Sequence, residues 1–214
     1  MQVGSLQLAP MDLTVIKLAP QPEKPDIVTF TEEDGFFLNT SLADDFRIRR
    51  DIWDRMREAQ QLLPKGVFFM IFEAYRPLAR QVKLWKMVEA KVKKEYPNAT
   101  ADEQQKICEN FIANPYDGIG SGHQAACAID LNLCDKDGNE FDMGCKIQDF
   151  DERTRTDSKV ISKKAQENRR LLKGTLDKVG LVNYPAEWWH YSYGDHQWAW
   201  LVGESTCPYG PIDI

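Results

Sequence analysis

Two short stretches of this 214-residue chain carry side chains whose types and spacing can do chemistry: Ser121-Gly-His123-Gln-Ala-Ala-Cys-Ala-Ile-Asp130 and Glu187-Trp-Trp-His190. The chain holds only three histidines, and two of them lie here with a carboxylate close by. Hydrolytic zinc sites take three protein ligands from histidine and carboxylate and keep a fourth position for water. His123, Asp130 and His190 supply such a set, for one Zn2+ per chain. Zinc brings the pKa of that water to about 7, and Glu187 is then a candidate general base for its proton. Trp188 and Trp189 are expected to desolvate Glu187 and raise its pKa toward neutrality.

A further candidate stands at the end of an apolar run. Val67-Phe-Phe-Met-Ile-Phe72 reads as a buried central strand and leads into Glu73-Ala-Tyr-Arg76-Pro77. Arg76 can hold the oxyanion formed when water attacks a carbonyl, or clamp a substrate carboxylate. The alternative is an ordinary ion pair with Glu73 or another surface acid. The acidic stretch Asp149-Phe-Asp151-Glu-Arg153 is either a solvated loop or a carboxylate placed for a substrate ammonium group. His196, in Gly194-Asp-His-Gln, reads as a solvated turn residue.

These groups need elements that bring them together. From Ala128 to Leu133 apolar residues alternate, with Ile129, Leu131 and Leu133 on one face and Asp130 on the other, which predicts a strand. His123 lies an odd number of residues from Asp130, so an unbroken strand would send the two to opposite faces. Convergence requires a loop or bulge over Gly122 to Ala126, which Gly122 makes easier. Glu187 and His190 pose the same problem. Pro185-Ala186 places Glu187 in a turn and leaves His190 to the strand proper.

Helical spacing predicts a helix from Asp44 to Leu63, with Ile52, Met56, Ala59 and Leu63 inward, and a second from about Leu78 to Tyr96. Thr100-Ala-Asp-Glu103 is a capping box for a third, through about Ala113. A long helix follows from Ser162 to Val179, with Gly180 as its C-cap. Asp135-Lys-Asp-Gly138-Asn is a turn expected to close a hairpin. Leu181 to Tyr184 reads as a short strand, and Trp198 and Trp200 as core closure. The first forty residues, interrupted by Pro10, Pro20, Pro22 and Pro25, suit edge strands and an extended wrapping segment.

At 43% hydrophobic and 28% charged residues, the chain suits one domain spanning 1–214. A formal charge of -6 argues against nucleic acid as a partner, and no apolar run reaches the length of a membrane span. Met1 to Pro10 has neither a basic n-region nor a long apolar core, so the default expectation is the cytoplasm, with the periplasm as the alternative had a leader been removed. The five cysteines form no C-x-x-C pair and are expected to be reduced packing residues.

Taken in order, Glu73-Ala-Tyr-Arg-Pro77, Ser121-x-His123-x6-Asp130 and Glu187-Trp-Trp-His190 resemble the motif set of the zinc D-alanyl-D-alanine dipeptidases. That group is related in fold to lysostaphin-type enzymes and the hedgehog signalling domain. The resemblance is dense from about Phe72 to Trp200 and thin over the first forty residues. It implies an α+β fold, with helices packed around a central, mainly antiparallel sheet. It further implies zinc on His123, Asp130 and His190, Glu187 as catalytic base, Arg76 stabilising the tetrahedral intermediate, and Ser121 lining the pocket for a small D-amino-acid dipeptide.

Two positions depart from the family pattern. Family members often carry glycine where this chain has Ala126. They also place an aspartate for the dipeptide's ammonium shortly after Met-Gly, where this chain aligns Gln148, with Asp149 next along as the candidate for that contact. The expected activity is zinc-dependent hydrolysis of D-alanyl-D-alanine. The alternatives are a D,D- or L,D-carboxypeptidase acting on peptidoglycan stem peptides, and a non-catalytic zinc-binding interaction domain.

Overall fold

Nine strands and five helices follow one another in the computed structural model, which describes residues 11–149 and 151–214. The segment Met1 to Pro10, read above for a leader, lies outside the described residues. Strands β1 (Lys17–Leu18), β2 (Ile27–Thr29), β3 (Phe37–Leu38) and β4 (Arg47–Arg49) precede helix α1 (Arg50–Leu62) and strand β5 (Val67–Glu73). Helices α2 (Leu78–Glu95) and α3 (Ala101–Glu109) lead to β6 (Ala128–Asp135) and helix α4 (Lys163–Asp177). The chain ends with β7 (Val182–Asn183), β8 (His190–Ser192), helix α5 (His196–Val202) and β9 (Thr206–Cys207).

The main sheet has the order β3-β5-β6-β8-β7. All its pairs are antiparallel except β3 with β5. With α1 and α4 packed on one face of it, this is the expected α+β architecture, with a mainly antiparallel sheet. The central strand is β6, with β5 beside it, so Val67 to Phe72 lies one place off centre. The reason is that a continuous apolar run reports burial on both faces, a property β5 shares with its neighbour.

Alternation along β5 and β6 divides the interior into two layers. Phe69, Ile71, Ile129, Leu131 and Leu133 face one side and pack with Ile52, Met56 and Ala59 of α1 and Leu172 and Leu176 of α4. Fully burying each Phe, Ile, Leu or Met of this layer contributes about 1.5–3 kcal/mol. Met70, Phe72 and Cys134 face the other side, in a smaller cluster. The large layer makes the sheet rigid, and the lesser face is where Asp130 emerges.

Helix α1 begins at Arg50 rather than Asp44. Phe46 and Ile48 are buried two residues apart, a strand period, and Arg47–Arg49 pairs with Ile27–Thr29. Helices α2 and α3 pack on each other through Trp85, Val92 and Cys108, and the Thr100–Glu103 capping box opens α3. Ser162 caps α4, and beyond the helix Gly180 (φ +79°) turns the chain so that the Leu181 N–H reaches Leu176 O at 3.1 Å. Asp135 N–H bonds to Asn139 O at 3.0 Å and closes the expected hairpin. Trp198 and Trp200 pack on a small cluster of Ile16, Ala199 and Cys207. All five cysteines are free thiols. No described helix is long and apolar enough to cross a membrane.

Candidate active site

Strand register sets three ionisable groups in one row. Asp130 on β6 pairs with Glu73 on β5 on one side and with His190 on β8 on the other. Residues directly opposite each other share a face. For Glu73 this depends on a bulge, because Ile71 pairs with Leu131 and the next residue to pair is Glu73, not Phe72. Without that extra residue Phe72 would stand opposite Asp130 and Glu73 would point into the large core.

His123 reaches the row from a loop, as its spacing requires. Gly122 to Ala126 forms tight turns, with Ala126 N–H bonded to His123 O at 3.1 Å and Cys127 N–H to Gly122 O at 3.0 Å. A Cβ on Gly122 would lie 2.2 Å from Asp195 Oδ2 and 2.8 Å from Ala128 Cβ, so only glycine fits there. Arg49 braces the loop from β4: its N–H bonds to Ala126 O at 2.9 Å and its Nε donates to Ala125 O at 2.7 Å. Ala126 itself has φ +53°, a left-handed conformation that favours glycine. That is the physical reason glycine suits this position better than alanine.

His123 Nδ1 lies 2.8 Å from Ala74 O. A carbonyl only accepts, so Nδ1 carries the proton and Nε2 presents its lone pair to the cleft. Nε2 stands 3.4 Å from Asp130 Oδ1, and His190 Nδ1 stands 3.0 Å from the same oxygen. One donor atom from each of His123, Asp130 and His190 lies within 4.8 Å of the other two. Ligands held about 2.1 Å from a tetrahedral ion stand about 3.4 Å apart, so the donor set fits a small divalent ion of the zinc type. Burial pushes the Asp130 carboxyl up, but the two imidazoles outweigh it and hold the group far below the usual carboxylate range.

Glu187 belongs to a turn and His190 opens β8. The Glu187 N–H bonds to Tyr184 O at 2.9 Å, and Asn183 Nδ2 donates to both Glu187 O and His190 O. Trp188 and Trp189 are buried in the large core and anchor the segment. Burial pushes the Glu187 carboxyl up to about 7, with Asp130 adding to the rise while His190 and Arg76 oppose it. Burial and the neighbouring Glu187 also push the Tyr184 phenol up.

Arg76 forms the ion pair that its sequence position allowed and also lines the cleft. Its Nε and Nη2 donate to the two Glu73 oxygens at 2.8 Å each, and its Nη1 donates to Gln81 Oε1 at 2.9 Å. The pair is buried, with Glu73 fully enclosed and also bonded by Arg80. A guanidinium has five N–H donors, so two remain for the cleft that Arg76 lines. Burial pushes the Glu73 carboxyl up, but Arg76 prevails and holds it below its ordinary value. Glu73 is the partner the sequence offered for Arg76; Gln81, which holds the third guanidinium N–H from helix α2, was missed, and nothing in its local sequence marks it.

Arg76, Ser121, His123, Asp130, Glu187 and His190 all line one cleft of about 940 Å³. Ser121 Oγ accepts the Gln124 N–H at 3.2 Å. Asp149 does not line the cleft; its carboxylate accepts Lys146 N–H at 3.0 Å and lies 3.4 Å from Arg153. Gln148, with φ +67°, is the residue of that loop on the cleft wall. The reading of His196 as a solvated turn residue is corrected. It is the buried first residue of α5, capped by Asp195, and it lines the cleft. Its Gly-Asp context signals a helix N-cap as well as it signals a turn.

Two imidazoles and a carboxylate, one imidazole from a braced loop and the other two groups from a rigid sheet, stand beside a second acid and an arginine and make the donor set of a mononuclear metallopeptidase. Residues 48–205 match the family described as D-ala-D-ala dipeptidase, and the chain belongs to that family. It is similar to the D-alanyl-D-alanine dipeptidase of Escherichia coli (strain K12), at 32% identity over 126 residues that span 59% of this chain and 55% of that protein. The D-alanyl-D-alanine dipeptidase of Synechocystis sp. is 23% identical over 218 residues, covering 92% of this chain and 85% of its own. In fold the chain is similar to VanYB, solved in complex with D-alanine-D-alanine, with a TM-score of 0.50, 18% identity and coverage of 90% and 94%.

Proposed function

We propose that this chain is a zinc-dependent dipeptidase that hydrolyses D-alanyl-D-alanine, with His123, Asp130 and His190 as the zinc ligands. One observation carries the reading: the three donors converge within 4.8 Å of one another in the same cleft as Glu187 and Arg76. Family membership and the two related dipeptidases support the substrate. Zinc bound there supplies Lewis acidity toward a peptide carbonyl and toward water.

The chain's own groups perform the rest. Glu187, with a carboxyl near 7, takes the proton from the attacking water and passes it to the leaving amine. The two uncommitted N–H groups of Arg76 hold the negative charge that grows on the carbonyl oxygen. Glu73 and Gln81 keep the guanidinium at that station before substrate arrives, so no reorganisation is needed during the reaction. Ser121 lines the substrate pocket.

A second reading, a D,D-carboxypeptidase acting on longer stem peptides, has its own support. The cleft continues past the donor set toward Leu84, Val88 and Phe111, and the neutral Gln148 stands on its wall where a carboxylate would best receive a free ammonium group. Metal analysis of the purified protein, followed by parallel assays of D-alanyl-D-alanine and a stem pentapeptide, tests both. The dipeptidase reading expects about one zinc per chain and faster turnover of the dipeptide. Preference for the pentapeptide would replace it with the second reading, and hydrolysis of neither would overturn both.

A further inference from the structure

The polar groups around the donor set are mostly committed. His123 Nδ1 is held by Ala74 O, Asp195 Oδ1 by the Trp198 N–H, and three of the Arg76 donors by Glu73 and Gln81, while Ser121 Oγ accepts the Gln124 N–H and keeps its own O–H to donate. Tyr184 is different. It lines the same cleft, its ring stands edge-on to His190 with centroids 6.3 Å apart, and its hydroxyl makes no hydrogen bond among the described residues. The backbone fixes it firmly, because Tyr184 N–H donates to His190 O at 3.0 Å and Tyr184 O accepts the Glu187 N–H at 2.9 Å.

That last bond makes Tyr184 and Glu187 the first and fourth residues of a single turn, whose Cα atoms lie within about 7 Å. If Glu187 protonates the leaving nitrogen, the leaving residue lies against Glu187. Its α-carboxylate carbon is only two bonds from that nitrogen, about 2.5 Å away. A carboxylate there is repelled by Glu187 and Asp130 and needs a donor close by. A phenol is protonated at neutral pH and supplies one without adding charge to the site.

We propose that Tyr184 is a specificity residue of the leaving-group subsite, where its hydroxyl donates a hydrogen bond to the free C-terminal carboxylate of the substrate. This rests on the dipeptidase reading and adds to it the residue that receives the free carboxylate of the departing D-alanine. Tyr184 therefore acts on binding of the departing residue, whereas Arg76 acts on the carbonyl oxygen.

The test compares the zinc-loaded wild-type protein with Tyr184→Phe on D-alanyl-D-alanine and on its C-terminal amide. Wild type is expected to favour the free acid by about 10-fold or more in kcat/KM. Tyr184→Phe is expected to lose about 10-fold on the acid, mainly through KM, and almost nothing on the amide, with zinc content and thermal midpoint unchanged. Equal losses on both substrates would place the hydroxyl elsewhere and overturn the proposal, as would no loss at all. Calorimetric binding of D-alanine against D-alaninamide gives a readout independent of turnover. Weaker D-alanine binding in the variant, with D-alaninamide unaffected, supports the assignment, and equal affinities refute it. Wild-type protein that hydrolyses neither dipeptide would defeat the dipeptidase reading itself, while the binding comparison would still decide the role of Tyr184.

Discussion

Asp130 and His190 face each other across adjacent antiparallel strands, with Asp130 Oδ1 3.0 Å from His190 Nδ1. Strand register alone brings these two together although sixty positions separate them in sequence. His123 arrives from a loop braced by Arg49. His190→Ala and Asp130→Asn should each lower metal affinity by more than about 100-fold, since loss of a mere outer-shell partner already lowers it 10- to 100-fold. Metal analysis after dialysis checks this. Chelation of the wild type should lower its thermal midpoint, because a ligand that binds only the native state stabilises it. Full metal retention by both variants would remove the proposed centre.

Glu187 should leave metal content almost unchanged and govern the rate. Glu187→Gln is expected to lower kcat by about 10²- to 10⁴-fold, the usual contribution of general acid–base catalysis. The pH profile of kcat/KM should rise with pH through an acidic limb between about pH 5 and 7. The upper bound is the burial-raised value of about 7, and a bound cation lowers it by favouring the charged form. A profile flat from pH 5 to 8 would contradict the assignment.

The same raised value has a stability consequence of opposite sign. A carboxyl whose folded pKa of about 7 exceeds its unfolded value stabilises the fold below about pH 4.5, and that contribution is lost as pH rises through 7. In metal-free protein Glu187→Gln should therefore be more stable than wild type at pH 8, by about 1–3 kcal/mol once water in the cleft is allowed for. At pH 4 the two should match. Urea titrations at the two pH values give the comparison.

Arg76 links catalysis to the fold. Arg76→Ala should reduce kcat by about 10²- to 10³-fold, the scale for removing an oxyanion donor. It should also destabilise the protein by about 3–5 kcal/mol, because it strips one partner from a buried pair. Glu73→Gln should also destabilise the fold, since it leaves the buried guanidinium without its counter-ion, and should reduce kcat by loosening Arg76. An unchanged kcat in Glu73→Gln would show that Arg76 needs no such support.

Two small residues in the His123 loop predict contrasting outcomes. Ala126→Gly relieves a left-handed alanine, a conformation about 1–2 kcal/mol unfavourable for L-residues, and part of that gain is offset by the entropy of an unfolded glycine. A net stabilisation of about 0.5–1 kcal/mol is expected. Gly122→Ala meets Asp195 and Ala128 at impossible distances and should displace His123, with loss of metal binding. Denaturation curves and metal analysis on the two variants distinguish them.

Much of this was legible in the chain itself. Apolar alternation from Ala128 to Leu133 identified β6 and set Asp130 against its core side, and the odd spacing of His123 from Asp130 required the loop that Gly122 and Ala126 form. Pro185-Ala186 placed Glu187 in a turn. Local periodicity and turn chemistry act over a few residues, so they are written locally. The start of α1 was misjudged because Phe46 and Ile48 satisfy a strand period as readily as the edge of a helical one.

Tertiary structure alone decided the rest. Nothing local says that Glu73, Asp130 and His190 line up across three strands, because register is set by pairing between distant segments and by one bulged residue at Phe72. Nor does composition reveal that Arg76 is both ion-paired and open to the cleft, that Asp149 turns back to Lys146 and Arg153, or that His196 is buried. Each outcome depends on which surfaces are left facing one another once the large core has formed. A side chain's role as ligand, donor or packing residue follows from its neighbours across the sheet, and those neighbours come from other parts of the chain.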